Sequence, residues 1–351
     1  MSPEKFQAAL LNWFDIHGRK DLPWQKDISP YTVWVSEIML QQTQVATVIP
    51  YFQKFMDKFP TVADLAKADL DDVLHSWSGL GYYARARNLH KAAGLINEQN
   101  FPETLEGLML LPGIGQSTAG AILAIACHQS QPILDGNVKR VFARFKAIEG
   151  WPGLSQVNKA LWAASSHYTP DYRTRDYTQA IMDLGATVCT RKTPSCHTCP
   201  VIQGCNARKL EKINNLPTPK PRQKIPEKKC IFLVLTNAKN EIFLEKRAPT
   251  GIWGGLWSLP EFEDIKAAKM WYQNKFILAS KPKTINSGRH TFSHYHLDYQ
   301  AILIKIKSPE ACIAESGSTV WYKANSTDEI GLPAPIKKLI NQTFINEENN
   351  A

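Results

Sequence analysis

The feature that most constrains the fold is the stretch of residues 110–138, LLPGIGQSTAGAILAIACHQSQPILDGNV. Pro112, Gly113 and Gly115 lead directly into an apolar pattern with the period of a helix, which predicts a tight hairpin between two helices. Because the glycines have no Cβ, the backbone N–H groups that open the second helix can approach an anion closely. The hairpin is therefore a candidate phosphate-binding site, although Pro-Gly-x-Gly is also a common turn between helices.

The same stretch ends in a carboxylate on a turn. Asp135 lies just before the next helical pattern, residues 138–147. The positive end of a helix dipole stabilises a negative charge, so we expect Asp135 to be ionised at neutral pH. The alternative is that Asp135 is an ordinary helix cap.

Helical periodicity extends over residues 6–184 with interruptions at prolines, which predicts an all-α bundle of short helices. Within it, Glu37 lies in the apolar segment VWVSEIMLQQT and shares a helix face with Gln41, one turn later. If that face is buried, the apolar surroundings raise the pKa of Glu37, as a general acid requires. If it is not buried, Glu37 is a surface charge on an amphipathic helix.

The segment GLGYYARAR, residues 79–87, combines a glycine turn with two aromatic and two basic residues. Aromatic rings beside guanidinium groups suit stacking into a duplex and contact with its phosphate backbone. The alternative is the start of a helix in which Tyr82 and Tyr83 belong to the core.

Four of the seven cysteines are crowded together, at Cys189, Cys196, Cys199 and Cys205. An odd cysteine count with such crowding argues for a metal site in a reducing compartment and against a disulfide framework. Zinc sites usually contain two Cys-x2-Cys pairs, and only one such pair occurs here. The spacing therefore favours an iron–sulfur cluster, with a structural zinc site as the alternative.

Length and charge set broader limits. A chain of 351 residues suggests two domains, and 41 Lys plus Arg against 32 Asp plus Glu, a formal charge of +9, is compatible with a polyanionic partner. The first residues do not resemble a secretory signal, and no apolar stretch is long enough to span a membrane. We therefore expect a cytoplasmic protein without a membrane partner.

The composition changes after Cys205. Residues 211–228 are rich in proline and positive charge, which is typical of a semi-rigid linker. Strand patterns at residues 230–235, 241–246, 291–307 and 319–322, with helical patterns at 264–273 and 334–344, predict a mixed α+β domain over residues 229–345. The sequence GIWGGLWSLPEFE in this domain resembles the Nudix fold. The acidic helix that gathers glutamates around magnesium in Nudix hydrolases is missing, so we expect no pyrophosphatase activity.

The hairpin, the aspartate about twenty residues after it and the four cysteines together resemble the base-excision DNA glycosylases related to endonuclease III. The segments LPGIGQSTAGAIL and ILDGNVKRV are most similar to the adenine-specific branch of that family. The resemblance implies a multidomain protein. An all-α helix-hairpin-helix glycosylase domain over residues 1–210, with a [4Fe–4S] cluster loop at 189–205, is followed by the linker and the Nudix-like α+β domain.

The resemblance also implies a function: excision of adenine mispaired with 8-oxoguanine or guanine in double-stranded DNA, by a monomer with one [4Fe–4S] cluster. It makes Glu37 the catalytic acid and Asp135 the anion that stabilises the oxocarbenium ion, with Asn137 orienting the sugar or the water. The DNA- and base-contacting residues that it implies are Gln41, Gln42, Tyr82, Gly113, Gly115, Ser117 and Asp183. It assigns 8-oxoguanine recognition to Phe292, Ser293 and His294, and cluster binding to the four cysteines.

Two residues bear on the details of this function. Ser117 stands where the bifunctional relatives have a lysine nucleophile, so we expect base removal without efficient strand cleavage. Gln25 stands where some relatives have an arginine that contacts the adenine, which leaves that contact open.

Three alternatives remain at this point. The first is a thymine-glycol or mismatch-thymine glycosylase on the same scaffold. The second is a DNA-binding protein without catalysis, in which Asp135 only caps a helix. For residues 289–296, RHTFSHYH, a His-rich metal site is a further alternative, although it lacks a carboxylate at metal-ligand spacing.

Overall fold

A computed structural model describes residues 1–98, 100–221, 224–292, 294–308, 318–323 and 330–348. The chain divides into two compact units. The first contains Met1–Lys67 and Asn88–Arg222, and the second contains Ala68–Arg87 and Gln223–Ala351. Residues 68–87 thus interrupt the helical part of the sequence and group with the C-terminal part.

The N-terminal part of the chain is built of short helices, which confirms the all-α prediction. The helices are α1 (Pro3–His17), α2 (Pro30–Leu40), α3 (Val45–Lys58), α4 (Val62–Lys67), α5 (Leu70–Ser76), α6 (Ala84–Glu98), α7 (Leu105–Met109), α8 (Gln116–Ala126), α9 (Gly136–Lys146), α10 (Ser155–Tyr168), α11 (Thr174–Asp183) and α12 (Asn206–Lys209). Helix α5 and the start of α6 belong to the second unit. Among the helices of the described ranges, none is long and apolar enough to cross a bilayer.

An aromatic cluster joins α1, α9 and α10 in the first unit. The ring of Phe6, which is fully buried, lies 5.9 Å from that of Phe142 and 4.8 Å from those of Phe145 and Tyr168. Burial of four large rings is a major apolar contribution to stability. It fixes the position of α9, the helix whose first turn carries Asp135.

The second unit contains a mixed sheet. Its strands are β1 (Glu227–Thr236), β2 (Ile242–Lys246), β3 (Trp257–Ser258), β4 (Glu261–Phe262), β5 (Ile277–Leu278), β6 (Lys283–Thr291), β7 (His296–Ser308) and β8 (Thr319–Tyr322). Strands β1 and β7 are parallel, with Phe232 opposite Ala301, and the other pairings in the described residues are antiparallel. The predicted α+β class of this part is thereby confirmed.

Each face of this sheet has its own core because successive side chains of a strand point to opposite faces. Phe232 and Val234 of β1 pack on one face with helix α14 (Ala334–Glu348). Ile231 and Leu233 pack on the other face with helix α13 (Ile265–Lys275). Helix α13 has the sequence IKAAKMWYQNK, which contains no carboxylate, and the absence of pyrophosphatase activity stays a prediction.

Candidate active site and nucleic-acid interface

Helix α2 positions Glu37 in the first unit. The helix begins after Ser29, whose hydroxyl accepts from the Thr32 N–H at 3.1 Å while the Thr32 hydroxyl accepts from the Ser29 N–H at 2.9 Å. This reciprocal capping fixes the start of the helix. The neighbours of Glu37 on the chain, Ser36 and Ile38, are buried, whereas Glu37 itself is partly exposed. The partly exposed glutamate therefore interrupts a run of buried residues from Val33 to Met39.

The surroundings of Glu37 favour its neutral form. Burial, and to a smaller extent the negative charge of Asp135, raise the pKa of its carboxyl to about 8. A carboxyl with this pKa is protonated at neutral pH and can donate a proton. Because Asp135 acts on Glu37 through space, the two carboxyl groups share one part of the first unit.

Asp135 is the N-cap of α9, and its contacts favour the charged form. Its Oδ1 accepts from the Val138 backbone N–H at 2.7 Å, and its Oδ2 accepts from the Asn137 side-chain amide at 3.2 Å. Burial raises the pKa of Asp135, while hydrogen bonds from Val138 and Asn137 and the charge of Arg140 act against that rise. We expected the helix N-terminus to keep Asp135 ionised. Burial, which was not apparent from the sequence, instead favours the neutral form of Asp135 and so acts against the helix terminus.

Arg140 extends this arrangement and was not anticipated from the sequence. It donates to Asn137 Oδ1 at 2.8 Å, to the Gly185 carbonyl at 2.6 Å and to the Cys189 carbonyl at 2.7 Å. A Cβ at Gly185 would lie 2.6 Å from that of Asn137, so only glycine permits this approach. The guanidinium therefore connects the Asp135 turn to the chain that leads into the cysteine loop.

The predicted hairpin lies between α7 and α8. Gly113 has a φ of +83°, which favours glycine, and Gly115 is the N-cap of α8. Within the described residues, no side chain caps α8, and a Cβ at Gly115 would meet nothing within 4 Å. The start of α8 is therefore accessible to an anion. Ser117 has a structural partner, since its hydroxyl accepts from the Leu134 N–H at 2.9 Å and ties α8 to the residue before Asp135.

Gln41 and Gln42 lie where α2 ends. Gln41 is the C-cap residue of α2, and its amide donates to the Thr118 hydroxyl of α8 at 3.4 Å. Gln42 has a φ of +58°, a left-handed conformation that turns the chain sharply. Both residues follow Glu37 within about one and a half helical turns, so the end of α2 carries the acid and two amides together.

Tyr82 projects from the second unit. It is 51% exposed and has a φ of +52°, whereas Tyr83 is buried. The Arg85 guanidinium lies 5.5 Å from the centre of the Tyr82 ring and donates to the Gly81 carbonyl at 3.0 Å. The core interpretation is therefore correct for Tyr83, and Tyr82 is available for stacking.

Asp183 and Gln25 both contact Arg19. Asp183 is 2% exposed, and its oxygens accept from the backbone N–H of Arg19 at 2.8 Å and from its Nε at 2.9 Å. The Gln25 amide donates to the Arg19 carbonyl at 3.0 Å. These contacts give both residues a structural role, and a contact of either with a base stays a prediction.

The four cysteines line one small cavity together with apolar residues such as Val188 and Ile202. Arg144, which is 2% exposed, donates to Cys189 Sγ at 3.4 Å and to the Thr190 carbonyl at 2.7 Å. In the described part of the chain, no three His, Cys, Asp or Glu side chains are grouped as a single metal ion requires. Four thiols line one apolar cavity, with an N–H group of Arg144 directed at sulfur, and this donor set fits an iron–sulfur cluster.

The predicted recognition loop lies between β6 and β7, and its Ser293 lies outside the described residues. The Phe292 ring is 5.3 Å from that of Trp253 and 4.8 Å from that of Tyr295. His294 is exposed, and its ring lies 4.9 Å from that of Tyr295. The loop thus presents an aromatic cluster at the edge of the second unit's core.

Comparisons with known proteins identify both parts of the chain. Residues 35–166 match the family described as "HhH-GPD superfamily base excision DNA repair protein", and residues 231–342 match the NUDIX domain. The helical part is similar to a solved thermostable thymine-DNA glycosylase, with a TM-score of 0.54 and 25% identity over 59% of this chain and 97% of that one. An endonuclease III–DNA complex shares the fold, with a TM-score of 0.50 and 19% identity over 60% of this chain and 98% of that one.

Relatives that match nearly the whole of this chain show to which branch of the glycosylases it belongs. The adenine DNA glycosylase of Buchnera aphidicola subsp. Schizaphis graminum is 41% identical over 95% of this chain and 97% of its own. The adenine DNA glycosylase of Homo sapiens is 34% identical over 95% of this chain and 73% of its own. By this identity across the helical and the Nudix-like parts alike, the chain belongs to the adenine DNA glycosylase family.

Proposed function

We propose that this protein is a monofunctional glycosylase that removes adenine paired with 8-oxoguanine or guanine from double-stranded DNA and leaves an abasic site. The observation that carries the proposal is the pair of carboxyl groups, Glu37 with a pKa of about 8 beside Asp135 at a helix N-terminus. Breaking an N-glycosidic bond requires a proton for the departing base and an anion for the sugar cation. This pair supplies both.

Adenine leaves the stack because neither carboxyl group can reach it inside a duplex. Glu37 donates its proton to the base, at N7, which makes the base a better leaving group. Asp135 stabilises the oxocarbenium ion until water attacks the sugar carbon and gives up one proton to the Glu37 carboxylate, which restores the acid. Asn137, held by Arg140, orients the sugar or the water. The product is free adenine and an abasic site.

Ser117 supports base removal without strand cleavage. A lyase reaction needs an amine nucleophile that forms a Schiff base with the sugar. The Ser117 hydroxyl cannot form one, and it already accepts a hydrogen bond from Leu134.

Recognition of the opposite base is assigned to separate residues. Gln41 and Gln42 fill the space left by the flipped adenine and touch the opposite strand, and Tyr82 wedges between bases beside the lesion. Phe292, Ser293 and His294 contact 8-oxoguanine, where the Ser293 hydroxyl can both accept from N7–H and donate to O8. In this proposal the glycosylase domain covers residues 1–210, the linker 211–228 and the recognition domain 229–345, and the protein acts as a monomer in the cytoplasm.

Cys189, Cys196, Cys199 and Cys205 would hold one [4Fe–4S] cluster. The bound cluster supplies structural cross-linking, since hydrolysis of the glycosidic bond needs no electron transfer. The chain's own contribution is to hold Arg191 and Lys192 of the same loop toward DNA phosphates.

The test is a single-turnover assay on duplexes with adenine opposite 8-oxoguanine, guanine or thymine, analysed on gels with and without hot alkali. We expect adenine release fastest opposite 8-oxoguanine and slowest opposite thymine, with strand breaks appearing only after alkali. Nicking without alkali, at the rate of base release, would contradict the monofunctional assignment. Release of thymine instead of adenine would favour the thymine-glycosylase alternative.

A further inference from the structure

The segment that carries Tyr82 is held on its N-terminal side by an ion pair within the second unit. Lys246 Nζ lies 2.8 Å from Oδ1 and 2.9 Å from Oδ2 of Asp71, and the Trp257 indole N–H donates to Asp71 Oδ2 at 3.2 Å. Lys246 and Trp257 are paired residues of β2 and β3. Two neighbouring strands therefore hold one carboxylate of α5. We call Asp71, Lys246 and Trp257 the clasp.

Two hydrogen bonds hold the same segment on the C-terminal side of Tyr82. Arg87 Nη1 donates to the Gly254 carbonyl at 2.6 Å, and the Tyr83 hydroxyl donates to the Leu332 carbonyl at 3.4 Å. Tyr82 lies between these anchors in a left-handed conformation that a tyrosine adopts only under local constraint. The direction of its exposed ring therefore depends on where the anchors hold the chain.

Direct contacts connect these anchors with the Phe292 loop, which lies between β6 and β7. The Trp253 ring lies 5.3 Å from Phe292 and 5.7 Å from His290. Trp253 immediately precedes Gly254, the acceptor for Arg87, and the same loop leads into Trp257 of the clasp. An unbroken series of contacts thus joins the loop of Phe292 to the segment of Tyr82, all within one compact unit.

We propose that the clasp is a positioning device that couples recognition of 8-oxoguanine at the Phe292 loop to insertion of Tyr82. This inference rests on the proposed function. A base that binds the Phe292 loop restrains the Trp253 ring that packs on Phe292, and the clasp transmits this restraint to α5 and so to Tyr82. Guanine offers the loop fewer contacts, so the coupling favours excision opposite 8-oxoguanine over excision opposite guanine.

A purely structural role explains the clasp less well. The Lys246 and Asp71 side chains are 33% and 30% exposed. Ion pairs at this exposure contribute little to global stability. Their effect is expected instead on the position of the segment that they hold.

The test compares three full-length variants with the wild type by single-turnover adenine release opposite 8-oxoguanine and opposite guanine. Lys246→Met removes the ion pair and keeps the aliphatic stem, Lys246→Arg keeps the charge, and Lys269→Met removes an exposed charge from α13 as a control. We expect Lys246→Met to lower the ratio of the two rates about three- to tenfold. Lys246→Arg and Lys269→Met should leave the ratio within about twofold of the wild type.

A second readout reports the opening of the base stack that Tyr82 enters. 2-Aminopurine placed beside 8-oxoguanine gains fluorescence when the neighbouring stack is opened, and we expect a smaller gain with Lys246→Met than with the wild type. Asp71→Asn replaces Lys246→Met if the latter does not fold, with the same expected outcomes. An unchanged ratio and fluorescence gain, or equal loss of both rates, would overturn the coupling. Absence of adenine release from the wild type would instead refute the proposed function itself.

Discussion

At the scale of single residues, the proposed reaction needs Glu37 protonated and Asp135 ionised, although both carboxyl groups lie in one region of the first unit. Burial raises the pKa of both, so burial alone does not distinguish them. Asp135 differs from Glu37 because hydrogen bonds from Val138 and Asn137 and the charge of Arg140 stabilise its anion. The ionised Asp135 in turn keeps the proton on Glu37. The charge of Asp135 thereby favours the protonated form that Glu37 needs in order to act as an acid.

Replacing Asp135 by Asn tests its electrostatic role. The amide oxygen can still accept from Val138 and cap α9, but it carries no charge. We expect adenine release to slow by about 10²-fold or more, because the sugar cation loses its counter-charge. Binding of the same duplex, measured by anisotropy, should change little. Adenine release at the wild-type rate would show that Asp135 is only a cap.

The raised pKa of Glu37 also predicts a stability change. A carboxyl group whose pKa rises on folding binds its proton more tightly in the folded state, so stability falls as pH rises from about 4.5 to about 8. Glu37→Gln removes the cost of burying a charged carboxylate. It should therefore raise the free energy of unfolding at pH 8 by about 1–2 kcal/mol, with no gain at pH 4.

Urea unfolding at the two pH values measures this effect, with the exposed Glu98→Gln as the matched control. Equal changes for Glu37→Gln and Glu98→Gln would mean that Glu37 is not desolvated in the folded protein.

At the scale of elements, the helical turn Leu184–Val188 after α11 connects the Asp135 turn with the cysteines. Arg140 of α9 donates to the carbonyls of Gly185 and Cys189, and Arg144, one turn later, donates to Cys189 Sγ and Thr190. Helix α9 therefore carries the Asp135 turn at its start and supports the cysteine loop along its length. A disturbance of the loop should reach Asp135 through Asn137.

Loss of one cysteine tests the cluster. Cys199→Ser should remove the visible absorbance and the iron content of the purified protein and lower its melting temperature by several degrees, because the loop loses its cross-link. Cys127→Ser, which changes a cysteine outside the loop, is the matched control and should keep both. Full zinc occupancy without iron in the wild type would establish the zinc alternative.

The sequence predicted some elements better than others, for physical reasons. The hairpin and the cap at Asp135 follow from local signals, namely glycines and a capping side chain, and local signals are readable in one sequence. Strand β6, KTINSGRHT, was not predicted because its residues are polar and largely exposed. It forms because the long strand β7 offers it a partner, with Arg289 opposite Asp298. Such pairing is a property of the tertiary structure.

At the scale of the whole molecule, the compact units do not follow the order of the sequence. Residues 68–87 lie between helical segments of the first unit, yet Asp71 and Arg87 make their contacts with Lys246 and Gly254. Helical periodicity reports only which face of a helix is buried, and it cannot say against which part of the chain. The grouping of Tyr82 with the Nudix-like part was therefore not predictable from pattern alone.

The central claim is that Glu37 delivers its proton while Asp135 stays charged, and the pH dependence of adenine release tests it most directly. Single-turnover rates should be measured between about pH 5 and pH 10 for the wild type and Glu37→Gln at saturating enzyme. We predict that the wild-type rate falls about tenfold per pH unit above about 8, since Glu37 must be protonated to act. Glu37→Gln should be slower by about 10²-fold or more and lack this high-pH decline. A variant that keeps the wild-type rate, or keeps the same decline above pH 8, would contradict the account.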